Sequence, residues 1–235
     1  MKQLFQPVQR SVWAVGVALA VVVAGCSAER EAVAADAAAG KPAIPVVVAA
    51  PPVNGKPTAY AVFAGGCFWC IEADFEKLKG VIGAESGYTA GRTVNPTYEQ
   101  VSAGHTGHTE AIRVHYDPAV VSYAQLVAYF WRHIDPTVKD RQFCDVGSQY
   151  RSGIYWQNEA ERAVAEGSRA DLLATGRFPA IHTELAPASV FYPAEAYHQD
   201  YYKKNDLRYS YYRLSCGRDA RVKQVWKDFP PLQLN

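Results

Sequence analysis

AVFAGGCFWC, Ala61–Cys70, carries a run of small and apolar residues into a Gly-Gly pair and then two cysteines around Phe-Trp. The lead-in reads as a buried strand. The next stretch, FWCIEADFEKL, sets large apolar residues at Phe68, Ile71, Phe75 and Leu78, the spacing of a helical stripe. Cys67 therefore stands where a strand turns into a helix. Unpaired backbone N–H groups and the macrodipole at a helix start favour negative charge, and a thiol placed there ionises more readily than a free one. The local sequence predicts a reactive cysteine.

Around this stretch, 235 residues that are 49% hydrophobic are enough to bury one good-sized core. The formal charge is +1 and no basic block occurs, which argues against nucleic acid as a partner. The N-terminus is a processing signal rather than fold. Lys2 and Arg10 give a positive start, and Val12–Gly25 a short apolar run. The run ends in VVAGC, which resembles the lipobox of bacterial lipoproteins, with Cys26 as the residue to be lipidated. An uncleaved transmembrane anchor is the alternative, but the run is short for a span. Residues 1–25 are read as a lipoprotein signal peptide, 26–58 as an Ala/Pro-rich, semi-rigid tether, and 59–235 as one folded domain. The expectation is an exported protein, lipid-anchored in a bacterial cell envelope and facing the periplasm in a Gram-negative source. Removal of Lys2 and Arg10 takes the formal charge to −1.

Cysteine usage changes once Cys26 is set aside. Cys67, Cys70, Cys144 and Cys216 remain, and an exported chain can carry disulfides. A bridge between Cys67 and Cys70 closes a tiny loop and adds little stability, so the pair suits redox traffic better than structure. Zinc wants about four ligands at set spacing, and the other two cysteines are single and far apart, so no metal is expected. A thioredoxin-like thiol–disulfide oxidoreductase and a sulfoxide- or peroxide-handling thiol with an aromatic box are the two remaining readings.

Downstream, Glu110–Tyr116 alternates as a strand, with Glu110, Ile112, Val114 and Tyr116 on one face. That parity puts a carboxylate on the apolar side, where desolvation would make it a proton donor near neutral pH; the other reading has Glu110 ending the strand in water. Ser122 with Gln125 is a capping box for a helix through Trp131. Phe143–Trp156 runs from a loop into a strand, with Asp145 and Tyr150 as polar groups fit for a site. Asn158–Leu173 reads as an amphipathic helix, Ala180–Leu185 as a strand, Phe191–Asn205 as a tyrosine-rich helix, and Asp219–Phe229 as helical.

The blocks GGCFWC (Gly65–Cys70), GYTAG (Gly87–Gly91), NPTYEQV (Asn95–Val101), GHTGHTEAIRVHYDP (Gly104–Pro118), GSQYRSGIY (Gly147–Tyr155) and AEAYHQDYY (Ala194–Tyr202) together resemble peptide methionine sulfoxide reductase, type A. The resemblance implies an α/β two-layer sandwich, a mixed β-sheet flanked by helices on a ferredoxin-like core, forming a single catalytic domain over 59–235. It implies reduction of protein-bound and free methionine S-sulfoxide by a Cys67 thiolate, through a sulfenic acid and an intramolecular disulfide. Phe68 and Trp69 match the methyl-holding pocket, Glu110 the acid, Tyr98 and Tyr150 the hydrogen-bonding phenols, and Asp145 and His198 further substrate-site positions. No bound cofactor is implied, only an external thioredoxin-like dithiol as reductant, and a monomer is expected.

Cys70 and Cys216 both qualify as the thiol that resolves the sulfenic acid. Cys70 is close by necessity, whereas Cys216 sits before a charged, helical tail, so Cys70 is preferred, Cys216 is a possible relay, and Cys144 is taken as a buried bystander. Met1 is the only methionine, so the processed chain would contain no substrate of its own.

Overall fold

A computed structural model describes residues 58–234. The signal peptide, Cys26 and the tether up to residue 57 lie outside the described residues.

The chain enters through β1 (Ala59–Gly65), turns at Gly66 and starts α1 (Phe68–Phe75) with Cys67 as N-cap. Gly66 has φ +82°, and a Cβ there would stand 2.6 Å from the Gln142 side chain, so the turn needs glycine. β2 (Val81–Thr89), α2 (Tyr98–Ser102), β3 (Thr109–Tyr116) and α3 (Tyr123–Trp131) come next. Ser122 and Gln125 form the expected capping box on α3, and Thr97 with Gln100 caps α2 in the same way. A small hairpin, β4 (Arg141–Gln142) and β5 (Asp145–Val146), leads to β6 (Ser152–Trp156), α4 (Glu159–Ala174), β7 (Glu184–Pro187) and β8 (Tyr192–Pro193). Three helices, α5 (Tyr201–Lys204), α6 (Asp206–Ser215) and α7 (Arg218–Trp226), close the described chain.

The main sheet has the order β7-β6-β1-β3-β2-β8. Its inner four strands, β6-β1-β3-β2, pair antiparallel in the ferredoxin-like order, and the parallel β6–β7 pair makes the sheet mixed. Alternation along β1 divides the layers. Ala61 and Phe63 belong to the main core, where Phe63 stacks on Phe75 of α1 and Phe130 of α3, each at 5.1 Å. Val62 and Ala64 join Ala111 and Tyr155 in a smaller cluster. Along β3, Ile112, Val114 and Tyr116 all enter the main core, as their parity requires. The expected mixed sheet flanked by helices is thus the fold.

Three expected elements differ. The strand read at Ala180–Leu185 begins only at Glu184, where its parallel pairing with Gly153 starts. The helix read over Phe191–Asn205 is helical only at Tyr201–Lys204. Its first part is held by the edge of β2 instead: Ala194 N donates to Ser86 O, and the Gln199 side chain bonds both Ser86 N and Ser86 O. Leu78, the last residue of the α1 stripe, lies past the helix end yet remains buried.

Candidate active site

β1 delivers Cys67 to the start of α1, and β3 begins beside it. Glu110, on the core face of β3, is 2% exposed and accepts the Phe68 N–H at 2.9 Å through Oε2. The carboxyl therefore occupies the helix start. Burial pushes its pKa up to about 8, with Asp145 and Cys70 adding to the rise against the Phe68 N–H. The alternative of a solvated Glu110 is excluded.

Cys67 and Cys70 are both buried and both free thiols. Burial drives Cys67 up, and the Cys70 hydrogen bond and the Glu110 and Asp145 carboxyls push the same way. Cys70 moves down, through the hydrogen bond from Cys67 and the guanidinium groups of Arg218 and Arg213. Burial thus opposes charge on Cys67, while the two guanidinium groups favour it on Cys70. The expected lowering of Cys67 by the helix start is opposed by burial and by Glu110, which already uses that end.

A pocket of about 80 Å³ opens on Cys67. Phe68 and Trp69 both face it, together with Tyr98, Glu110, Asp145 and Tyr150. Burial raises Tyr98 to about 12 and Tyr150 well above its usual range, so both phenols keep their protons and can donate. Asp145 is raised as well, by burial, against a hydrogen bond from Tyr212. His198 does not line the pocket. It stands behind it, accepting Trp69 Nε1–H on Nδ1 at 3.0 Å, with its ring 4.3 Å from that of Tyr98. On the other side Trp69 stacks on Tyr201 at 3.7 Å.

Cys144 departs from expectation, and Cys216 is its partner. They are bonded to each other across 72 residues, with their sulfurs 2.06 Å apart. Cys144 is exposed and bridged, not a buried bystander. With Asp145 they are the one group of three potential metal donors among the described residues, but their sulfurs are spent on each other.

Sequence reasoning missed Tyr212. It lines the pocket, donates to Asp145 Oδ2 at 2.7 Å and meets Trp69 edge-on at 6.0 Å. Among many tyrosines it read as packing; its place one helical turn before Cys216 was the available signal.

A buried neutral carboxyl, two phenol donors, an aromatic pair and a dithiol around a small pocket fit protonation of a polar oxygen during thiol attack. A family model described as "Peptide methionine sulfoxide reductase" matches residues 59–229. "Peptide methionine sulfoxide reductase MsrA 2" of Caulobacter vibrioides is 48% identical over 177 residues, 75% of this chain and 90% of that protein. "Peptide methionine sulfoxide reductase MsrA" of Listeria monocytogenes is 50% identical over 168 residues, 71% of this chain and 95% of the relative. Among solved structures, methionine sulfoxide reductase A of Corynebacterium diphtheriae superposes with TM-score 0.59 at 36% identity, covering 66% of this chain and 79% of that one. Reduced Mxr1 from Saccharomyces cerevisiae gives TM-score 0.60 at 31% identity, covering 66% and 90%.

Proposed function

The chain belongs to the peptide methionine sulfoxide reductase family, and from that premise we propose how its own residues carry the reaction. It is an oxidoreductase that returns methionine S-sulfoxide, free or in proteins, to methionine. The substrate methyl group packs on Phe68 and Trp69. Tyr98 and Tyr150 donate to the sulfoxide oxygen, and neutral Glu110 protonates it, because an unprotonated oxygen does not leave sulfur readily. Cys67 attacks the sulfur as the thiolate. Methionine departs, and Cys67 retains the oxygen as a sulfenic acid. Cys70 then condenses with it, forming the S–S bond and releasing water. An external thioredoxin-like dithiol reduces that disulfide by exchange, and no bound cofactor takes part.

One observation carries the choice of Cys70. It is the free thiol on the first turn of the helix that Cys67 caps, its N–H donating to Cys67 O at 3.1 Å, whereas Cys216 is already bonded to Cys144. The test is one turnover without reductant, with disulfide mapping of the product. Wild type should yield methionine and a Cys67–Cys70 bridge. Cys70→Ser should yield methionine once and stop at a Cys67 sulfenic acid that dimedone traps. A new bridge from Cys67 to Cys216 or Cys144, formed in the variant at the wild-type rate, would remove Cys70 from the relay.

The N-terminal lipobox pattern supports anchoring to the envelope by acylated Cys26, and the proposed form is a monomer. Cys26→Ala should move the protein from the membrane fraction to the soluble one; retention in the membrane would sink the anchor, and a dimer mass by light scattering would sink the monomer.

A further inference from the structure

Two links join the same two elements beside the pocket. Cys144, just before β5, is bonded to Cys216 at the C-cap of α6. One residue further along the hairpin, Asp145 accepts the Tyr212 hydroxyl, and Tyr212 precedes Cys216 by one helical turn. The Cys144 N–H also donates to Cys216 Sγ at 3.2 Å. A covalent bond and a hydrogen bond thus run side by side. Asp145 and Tyr212 line the pocket, while Cys144 and Cys216 do not.

The other anchors of the hairpin do not run to α6: Gln142 is buried and bonds Asp135 N and O, and Phe143 lies under the Arg218 guanidinium. The β4–β5 hairpin pairs only with itself, outside the main sheet. α6 buries one residue, Tyr209, and leaves Leu207, Tyr211 and Leu214 largely in solvent. Arg213 ties α6 to Asp74 of α1, not to the hairpin. An element with so small a buried face depends on discrete links to keep its side chains in register.

We propose that Tyr212 is a positioning residue of the sulfoxide pocket, and that the Cys144–Cys216 disulfide is the clip that holds it against Asp145. The inference rests on Cys70 being the resolving thiol, which leaves this disulfide outside the relay. The Tyr212 hydroxyl fixes the direction of the Asp145 carboxylate, and its ring edge closes the pocket against Trp69. A sulfoxide seated between these walls gains binding from their fixed separation, so loosening them weakens binding more than it slows chemistry.

The experiment uses enzyme with Cys67 and Cys70 reduced and, where the cysteines are present, the clip closed, as verified by intact mass after alkylation. Single turnovers against N-acetylmethionine S-sulfoxide give a half-saturation concentration and a limiting rate of product release. Tyr212→Phe, which keeps the ring and the disulfide, should raise half-saturation about fivefold with the limiting rate within about twofold of wild type. Cys144→Ser/Cys216→Ser should raise it by about three- to tenfold, still losing two thiols per product. The triple variant should be no worse than the double within about twofold, because both changes release one contact. Unchanged half-saturation with a normal thiol count, or effects that multiply in the triple variant, would overturn the positioning role alone. A double-serine protein that halts at the Cys67 sulfenic acid would instead overturn the Cys70 assignment and this inference with it. Tyr212→Phe decides the matter by itself if the serine pair fails to fold.

Discussion

The Phe68 N–H donates to Glu110 Oε2 at 2.9 Å, so the helix that presents Cys67 is capped by the acid placed to protonate the substrate. The two groups are 42 residues apart in sequence and meet because β1 and β3 are sheet neighbours. One contact thereby fixes the acid relative to the nucleophile and holds the carboxyl where water cannot solvate its charge.

Glu110→Gln keeps this hydrogen bond and removes the proton. At pH 7 the variant should lose about 10²- to 10³-fold in the rate of methionine formation. Wild-type rate should fall above about pH 8, where Glu110 gives up its proton. Stopped-flow single turnovers across pH check both, and the variant's residual rate should lack the alkaline limb.

The same substitution should stabilise the fold in alkali. The folded pKa of about 8 lies above the ordinary 4.5, so the contribution of Glu110 to stability is fully present below about pH 4.5 and is lost as pH rises to 8. Beyond that the buried charge costs on the order of 4 kcal/mol. Glutamine carries no such charge, so Tm should match wild type near pH 4.5 and exceed it by about 8–16 °C at pH 9. Glu72, also raised to about 8 by burial, is present in both proteins and cancels in the comparison. Calorimetry at the two pH values reads the difference; equal Tm at pH 9 would mean that Glu110 is solvated.

Much of this site is legible in the sequence because it is made of local patterns. The strand-turn-helix around Cys67 comes from a Gly-Gly break and a helical stripe, and the depth of Glu110 from the parity of β3. The features that escaped depend on distant partners. Cys144 and Cys216 are bonded across 72 residues, and neither flank announces the other. The Phe191–Asn205 segment has helix-forming composition, but Gln199 satisfies the backbone of Ser86, 113 residues away, and that outweighs local preference. The rise of the Cys67 thiol was not legible because helix position is visible in sequence while burial is not.

His198 acts through Trp69. Its pKa is pushed down by burial, so the imidazole is neutral, and its Nδ1 accepts the indole N–H. His198→Ala should leave that N–H unpaired, costing about 2 kcal/mol of stability and raising the KM for sulfoxide about fivefold. His198→Asn, whose side-chain oxygen takes the place of Nδ1, should recover most of the KM. Urea melts with steady-state kinetics check this, and equal KM for the two variants would detach His198 from substrate binding.

Arg218 links fold stability to the dithiol. It is 1% exposed, donates to Gly65 O at 3.0 Å and to His133 O at 2.9 Å, and lies 3.6 Å from Asp74. After the Cys67 hydrogen bond, its guanidinium is the largest influence lowering Cys70. Arg218→Met fills the space but leaves two carbonyls and a carboxylate short of a partner, so it should cost about 3 kcal/mol. It should also shift the pH midpoint of Cys70 alkylation upward, read in a Cys67→Ser background. Arg218→Lys keeps the charge but cannot bridge both carbonyls as the guanidinium fork does. It should lose comparable stability while leaving the Cys70 midpoint near that of the parent. If both variants move the midpoint equally, Arg218 acts on Cys70 by holding the backbone rather than by its charge.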